Sequence, residues 1–210
     1  MKISGSILSS TISAKDAIKL YDKTSLDYIH IDVMDGKFVG NKTYTIKDIT
    51  NFSNYTSKPF DVHLMVNNPL KYIDDLSMLN TEYITFHLEA VKNPIDVINR
   101  IKENGLRVGI AIKPNTKVQD ILPYLKDIDL VLVMTVEPGS SGQSFMESMV
   151  YKIEVLRKEI DEKGYKTIIS VDGGVNDTNI ELLKEKGIDM AVSASYLLSG
   201  DTENKIKNMK

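Results

Sequence analysis

Apolar positions along this chain switch repeatedly between a period of two and a period near 3.6. Runs rich in Ile, Val and Leu at residues 3–8, 28–33, 60–65, 83–87, 107–112, 130–136, 167–171 and 190–193 predict strands. Residues 14–23, 46–52, 70–79, 94–104, 118–125, 146–163, 176–186 and 202–209 predict helices. In the helical stretches apolar residues recur one turn apart, as in Ile95, Ile98 and Ile101, or Ile153, Leu156 and Ile160. Ser13, Asn93 and Asp177 stand where N-caps are needed, and Pro94 suits a first helical position. Gly105, Gly164 and Gly187 fit C-terminal stops, each just before the next strand. The second unit has the weakest pattern. Residues 41–45 and 51–57 are polar and turn-prone, which predicts a long mobile loop after the second strand.

Eight strand-then-helix units of roughly 25 residues each predict a (β/α)8 TIM barrel. No linker or low-complexity tract interrupts them, so residues 1–210 are expected to form a single domain. A doubly wound open sheet is the architectural alternative. It calls for a Gly-rich turn after the first strand, where Ser9-Ser10-Thr11-Ile12-Ser13 stands instead.

Composition narrows the function classes. The net charge of -3 leaves no basic footprint for nucleic acid. With no cysteine, any metal must be held by His, Asp or Glu. The start, Met1-Lys2-Ile3-Ser4-Gly5, enters a strand pattern without a signal-peptide core, and no apolar run is long enough to span a bilayer. A cytoplasmic protein without membrane or nucleic-acid partners is the expectation.

The candidate chemistry collects at the C-terminal ends of the strands, where a barrel builds its active site. His30 and Asp32 are two apart, so both project from one face of the second strand. That pair suits a divalent metal or a proton-transfer site, or simply a half-buried strand whose polar groups are satisfied by neighbours. Ser6, His63, His87 with Glu89, Met134, Asp172 and Ser193 also fall near strand ends. His30, Asp32, His63 and Asp172 would form a thiol-free set for Zn2+, Fe2+, Mn2+ or Co2+, among which the residues do not choose. His87 is the histidine left over. Gly139, Ser140, Ser141 and Gly142, then Gly173 and Gly174, then Ala194 and Ser195 are small residues leading towards helices. Such segments let backbone N–H groups approach an anion, which suggests a phosphorylated substrate.

In order along the chain, these motifs resemble the ribulose-phosphate 3-epimerase family. They are Ser6-Ile7-Leu8, His30-Ile31-Asp32-Val33-Met34-Asp35-Gly36-Lys37-Phe38-Val39 and Asp61-Val62-His63-Leu64-Met65-Val66. Val133-Met134-Thr135-Val136-Glu137-Pro138-Gly139, Gly142-Gln143 and Val171-Asp172-Gly173-Gly174-Val175 complete them. The resemblance implies a metal-dependent (β/α)8 epimerase that interconverts D-ribulose 5-phosphate and D-xylulose 5-phosphate in the pentose phosphate pathway. It makes His30, Asp32, His63 and Asp172 the ligands of one divalent ion, with Zn2+ placed first. Asp32 and Asp172 become the acid/base pair. Ser6, His63, Gly139, Ser140, Ser141, Gly142, Gly173, Gly174, Ala194 and Ser195 become substrate and phosphate contacts. Met34, Met65 and Met134 become an apolar wall. A homo-oligomer is the implied assembly.

Gly5, Gly40, Ser140-Ser141 and Ala194 depart from the family's usual residues, at the substrate rim and phosphate grip. D-allulose 6-phosphate is therefore the alternative substrate. A non-catalytic barrel holding a phosphorylated ligand is the other alternative, but mere binding does not call for two opposed carboxylates.

Overall fold

The structure, a computed structural model, describes residues 1–8 and 11–210. Ser9 and Ser10, which open the stretch that a doubly wound sheet would need to be Gly-rich, lie outside the described residues. The strands are β1 (Lys2–Ser6), β2 (Tyr28–Met34), β3 (Phe60–Met65), β4 (Thr81–His87), β5 (Arg107–Ile112), β6 (Leu130–Met134), β7 (Ile168–Asp172) and β8 (Met190–Ser193). All eight pair in parallel and in sequence order, and β8 pairs back onto β1 to close a (β/α)8 barrel.

Parallel neighbours need a crossover between them, and helices supply most of these. They are α1 (Ala14–Asp22), α2 (Ile46–Phe52), α3 (Leu70–Ser77), α4 (Pro94–Glu103), α5 (Val150–Lys163) and α6 (Ile180–Glu185). Helices α7 (Ser195–Leu198) and α8 (Thr202–Met209) follow β8. Alternate strand residues serve two cores. Outward residues such as Ile29, Ile31 and Val33 join Ile18, Ile73, Ile98 and Leu156 beneath the helices. Inward residues Tyr83, Ala111, Leu130, Leu132, Met134, Met190 and Val192 form a separate buried cluster.

Several local expectations change. Residues 118–125 form two 3-10 stretches, Val118–Asp120 and Leu122–Asp127, not an α-helix. Pro123 lacks the N–H that a continuing α-helix needs. Residues 146–149 enter α5 through a 3-10 turn, Glu147–Met149. Helix α6 starts only at Ile180, so Asp177 is no cap, and Asn93 makes no side-chain cap bond. Ser13 does cap α1, accepting from the Asp16 N–H. The segment expected to be a loose loop is tied down. Asp35 accepts from the N–H groups of Lys37, Phe38 and Asn67, and the Thr43 hydroxyl bridges the Asp32 carbonyl and the Met34 N–H.

Candidate active site

Strand register assembles the site. In the β2–β3 ladder His30 lies beside Asp61 and Asp32 beside His63. In the β6–β7 ladder Met134 lies beside Asp172, and in β1–β2 Ser6 lies beside His30. Closure then brings β7 towards β2 by way of β8 and β1.

His30, Asp32, His63 and Asp172 each offer an atom, and these atoms all lie within 4.8 Å of one another. His30 Nε2 is 3.3 Å from Asp32 Oδ1 and 3.8 Å from Asp172 Oδ2. His63 Nδ1 is 3.1 Å and 3.7 Å from the same two oxygens. An ion holding four ligands at roughly 2.0–2.1 Å would set them about 3.3 Å apart, so the four separations suit a cation at their centre. His30 Nε2 is buried and makes no well-aligned hydrogen bond among the described residues. Its other ring nitrogen, Nδ1, is 2.7 Å from Asp61 Oδ2, and Asp61 also accepts from the Ser4 hydroxyl. A histidine tied by a carboxylate on one side and bare on the other is how metal-ligating imidazoles are oriented. The residues fit a divalent ion.

Charge sharpens this. Burial alone would lower the His30 pKa, but the Asp61 and Asp32 carboxylates raise it well above its usual value. Burial opposes ionisation of Asp32 too, yet His30 and His63 hold it far below the usual carboxylate range. Asp172 goes the other way: burial and the Asp32 charge push it up to about 6. Two carboxyl groups with pKa values driven apart can divide acid and base roles.

A cavity of about 570 Å³ opens over this cluster. It is lined by Ser6, Asp32, Met34, Met65, Met134 and Asp172, and by all the small residues singled out after strands six, seven and eight. His30 and His63 lie beneath its floor, 1% and 0% exposed. Among the described lining residues none is Lys or Arg. An anion there meets backbone and hydroxyl groups. Gly173 and Gly174 adopt φ of +125° and +68°, and Cβ atoms there would lie 2.5 Å from Val136 Cγ2 and from the Phe145 nitrogen. Their carbonyls are taken up by the Thr135 hydroxyl and by Asn176 and Asn179.

His87 is not among the four. It stands behind His63, with the two Nε2 atoms 2.9 Å apart, and its Nδ1 is 3.1 Å from Glu89 Oε2. Burial lowers His87 to about 4. Burial opposes the Glu89 charge, but hydrogen bonds from His87, the Lys113 N–H and the Thr116 hydroxyl bring Glu89 down to about 2. The sequence reading placed Glu89 with His87 at a strand end but gave the pair no role, and it passed over Asp61 as a partner of His30. The signal for Asp61 was present, since Asp61 and His63 share the two-residue spacing of His30 and Asp32.

Comparison with known proteins agrees with this geometry. A model of the ribulose-phosphate 3 epimerase family matches residues 2–198. A ribulose-phosphate 3-epimerase of Methanocaldococcus jannaschii is 40% identical over 212 aligned positions, covering 100% of this chain and 90% of that protein. One of Bacillus subtilis is 40% identical over 207, covering 98% and 95%. A 3-hexulose-6-phosphate synthase from Salmonella typhimurium superposes with a TM-score of 0.71 at 16% identity, covering 100% of this chain and 96% of that one, a likeness of fold.

Proposed function

The chain belongs to the ribulose-phosphate 3-epimerase family, and we propose that it inverts C3 of a ketose phosphate, converting D-ribulose 5-phosphate to D-xylulose 5-phosphate and back. The observation that carries this reading is the convergence of Asp32 and Asp172, from β2 and β7, on one pair of buried histidines. Inversion needs a proton removed from one face of C3 and another returned to the opposite face. One carboxylate takes the C3 proton, leaving an enediolate, and the other carboxyl group delivers its proton to the far side. His30, Asp32, His63 and Asp172 would hold a divalent cation, which would supply positive charge to stabilise negative charge developing on the substrate oxygens. The Ser6 hydroxyl donates to Asp32 Oδ2 at 2.9 Å, so the oxygen at 3.1 Å from His63 keeps its direction. Met34, Met65 and Met134 give the reacting carbons a polarisable, water-poor wall. The segments of Gly139, Ser140, Ser141 and Gly142, of Gly173 and Gly174, and of Ala194 and Ser195 receive the phosphate through neutral groups.

Zn2+ is the ion placed first, with Fe2+, Mn2+ and Co2+ as alternatives for the same donors. A homo-oligomer in the cytoplasm completes the reading, on the strength of family membership. No helix among the described residues is long and apolar enough to cross a membrane. The test is to assay the purified protein on D-ribulose 5-phosphate and D-allulose 6-phosphate, with metal analysis and sizing of the same sample. Faster turnover of the pentulose, rising with metal content, is the expected result. A preference for the hexulose overturns the substrate, and inertness towards both overturns the catalytic reading.

A further inference from the structure

The hydrogen-bonded chain behind His63 has no role in the mechanism above. It runs from Glu89 through His87 to His63 and stops at the ion site. Its links are 3.1 Å from Glu89 Oε2 to His87 Nδ1 and 2.9 Å between the facing Nε2 atoms of His87 and His63. His87 is 0% exposed, and its ring is covered by Phe38, centroids 4.8 Å apart, with the Lys113 ammonium 3.9 Å from the Phe38 centroid. Solvent therefore does not reach the His87–His63 link, while Glu89 anchors its outer end at the surface.

Donor and acceptor counting gives the chain a direction. Glu89 Oε1 already accepts from the Lys113 N–H at 2.8 Å and from the Thr116 hydroxyl. Its other oxygen faces His87 Nδ1, and a carboxylate can only accept, so Nδ1 carries the proton. A neutral His87 with Nδ1–H has a bare Nε2. Two nitrogens 2.9 Å apart share one proton, so His63 must supply it from Nε2. His63 Nδ1 is left facing the site, 3.1 Å from Asp32 Oδ1 and 3.7 Å from Asp172 Oδ2, where a bound cation would take the place of a proton shared with Asp32.

We propose that His87 and Glu89 are positioning residues, which hold the proton of His63 on Nε2 and so keep its Nδ1 lone pair available to a divalent cation. This rests on the reading of His63 as a ligand. His30 reaches the same end by a shorter route, through Asp61 directly. The two ligand histidines thus offer opposite ring nitrogens, Nε2 of His30 and Nδ1 of His63, because their carboxylate anchors approach from different sides.

Glu89→Gln separates this role from packing, since size and shape are kept. The Lys113 N–H can only donate, so the amide oxygen must stay at the Oε1 position and the NH2 must turn to His87 Nδ1. That nitrogen becomes the acceptor, His87 carries its proton on Nε2, and His63 is left with its proton on Nδ1, the ligand atom. The whole chain reverses. The experiment records histidine side-chain 15N–1H correlations of the zinc-free protein and its Glu89→Gln variant, and measures Zn2+ dissociation constants by competition with a chromogenic chelator.

In the parent, the shared proton is expected on His63 Nε2, with His87 protonated on Nδ1. In the variant it is expected on His87 Nε2, and Zn2+ binding should weaken about 10–100-fold, as for other outer partners of ligands. Turnover lost at limiting Zn2+ should return at saturating Zn2+, and Glu89→Asp should recover part of the affinity. The proposal is overturned if His87 Nε2 bears the proton in the parent, a result that needs no folded variant. A folded Glu89→Gln with unchanged proton positions and Zn2+ affinity overturns it equally. A parent inert towards ketose phosphates would refute the functional reading, while the proton positions would still decide this one.

Discussion

Gly174 illustrates how a single residue can mislead a test of the phosphate site. Its φ is +68°, and any Cβ would come within 2.5 Å of the Phe145 nitrogen, so a carboxylate placed there would disturb the loop before it repelled an anion. Gly142 stands on the same rim at φ +79° with nothing near the Cβ position. Gly142→Asp costs about 1–2 kcal/mol in backbone strain, and sets a negative charge beside the proposed phosphate. KM for the phosphorylated substrate should rise at least about tenfold, as expected for one like charge a few ångströms away, with only a small drop in melting temperature. An unchanged KM in the folded variant would move the phosphate elsewhere. At this scale the sequence exposed the four ligand candidates, because each stands out as a polar residue at a strand end. The parts played by Asp61 and Glu89 were harder to see. What gives them meaning is the register of β2 on β3 and the packing of His87 against His63, and neither is a local property of the chain.

Among the elements, α2 shows what polar composition concealed. Residues 41–45 and 51–57 read as polar and turn-prone around the expected helix at 46–52, which forms with those bounds, and Thr45 and Asp48 give it a complete capping box: the Thr45 hydroxyl accepts from the Asp48 N–H, and the Asp48 carboxylate from the Thr45 N–H. The cap lets a seven-residue helix begin cleanly and bury Ile49 and Phe52. Thr45→Ala should therefore cost about 1 kcal/mol, read as a lower urea midpoint at constant m-value. A loss too small to detect would mean that burial alone holds α2. At residues 118–125, by contrast, apolar spacing suggested a helix and Pro123 broke it. Strand positions were the more legible because both cores demand apolar residues there. Helix starts were less so, since a cap is decided by where a side chain turns.

For the whole molecule, the chain's two ends meet at Asp27, beside the start of β2. Asp27 accepts from Lys2 Nζ, the Ile3 N–H and Lys210 Nζ, each at 2.9 Å. Burial opposes the Asp27 charge, but these donors lower its pKa overall. A lowered carboxylate adds stability above its unfolded pKa of about 3.9 and loses it as pH falls through the folded value. Asp27→Asn should then cost roughly 1–2 kcal/mol at pH 7, and the gap to the parent should close as the pH is taken below about 4. A gap independent of pH would mean that the charge of Asp27 does nothing to join the two ends. Closure also sets Asp32 and Asp172 across one mouth, and the proposed inversion depends on that opposition. Asp32→Asn and Asp172→Asn should each lower net epimerisation at least about 10²–10⁴-fold, with metal content measured alongside because both residues are proposed ligands. The most direct measurement is deuterium wash-in at C3 from heavy water, followed separately from D-ribulose 5-phosphate and D-xylulose 5-phosphate for the parent and both metal-loaded variants. The parent should label both epimers, while each variant should stop interconversion and retain exchange from only the epimer whose C3 proton faces its remaining carboxylate. Interconversion near the parent rate in either single variant would contradict the two-carboxylate mechanism.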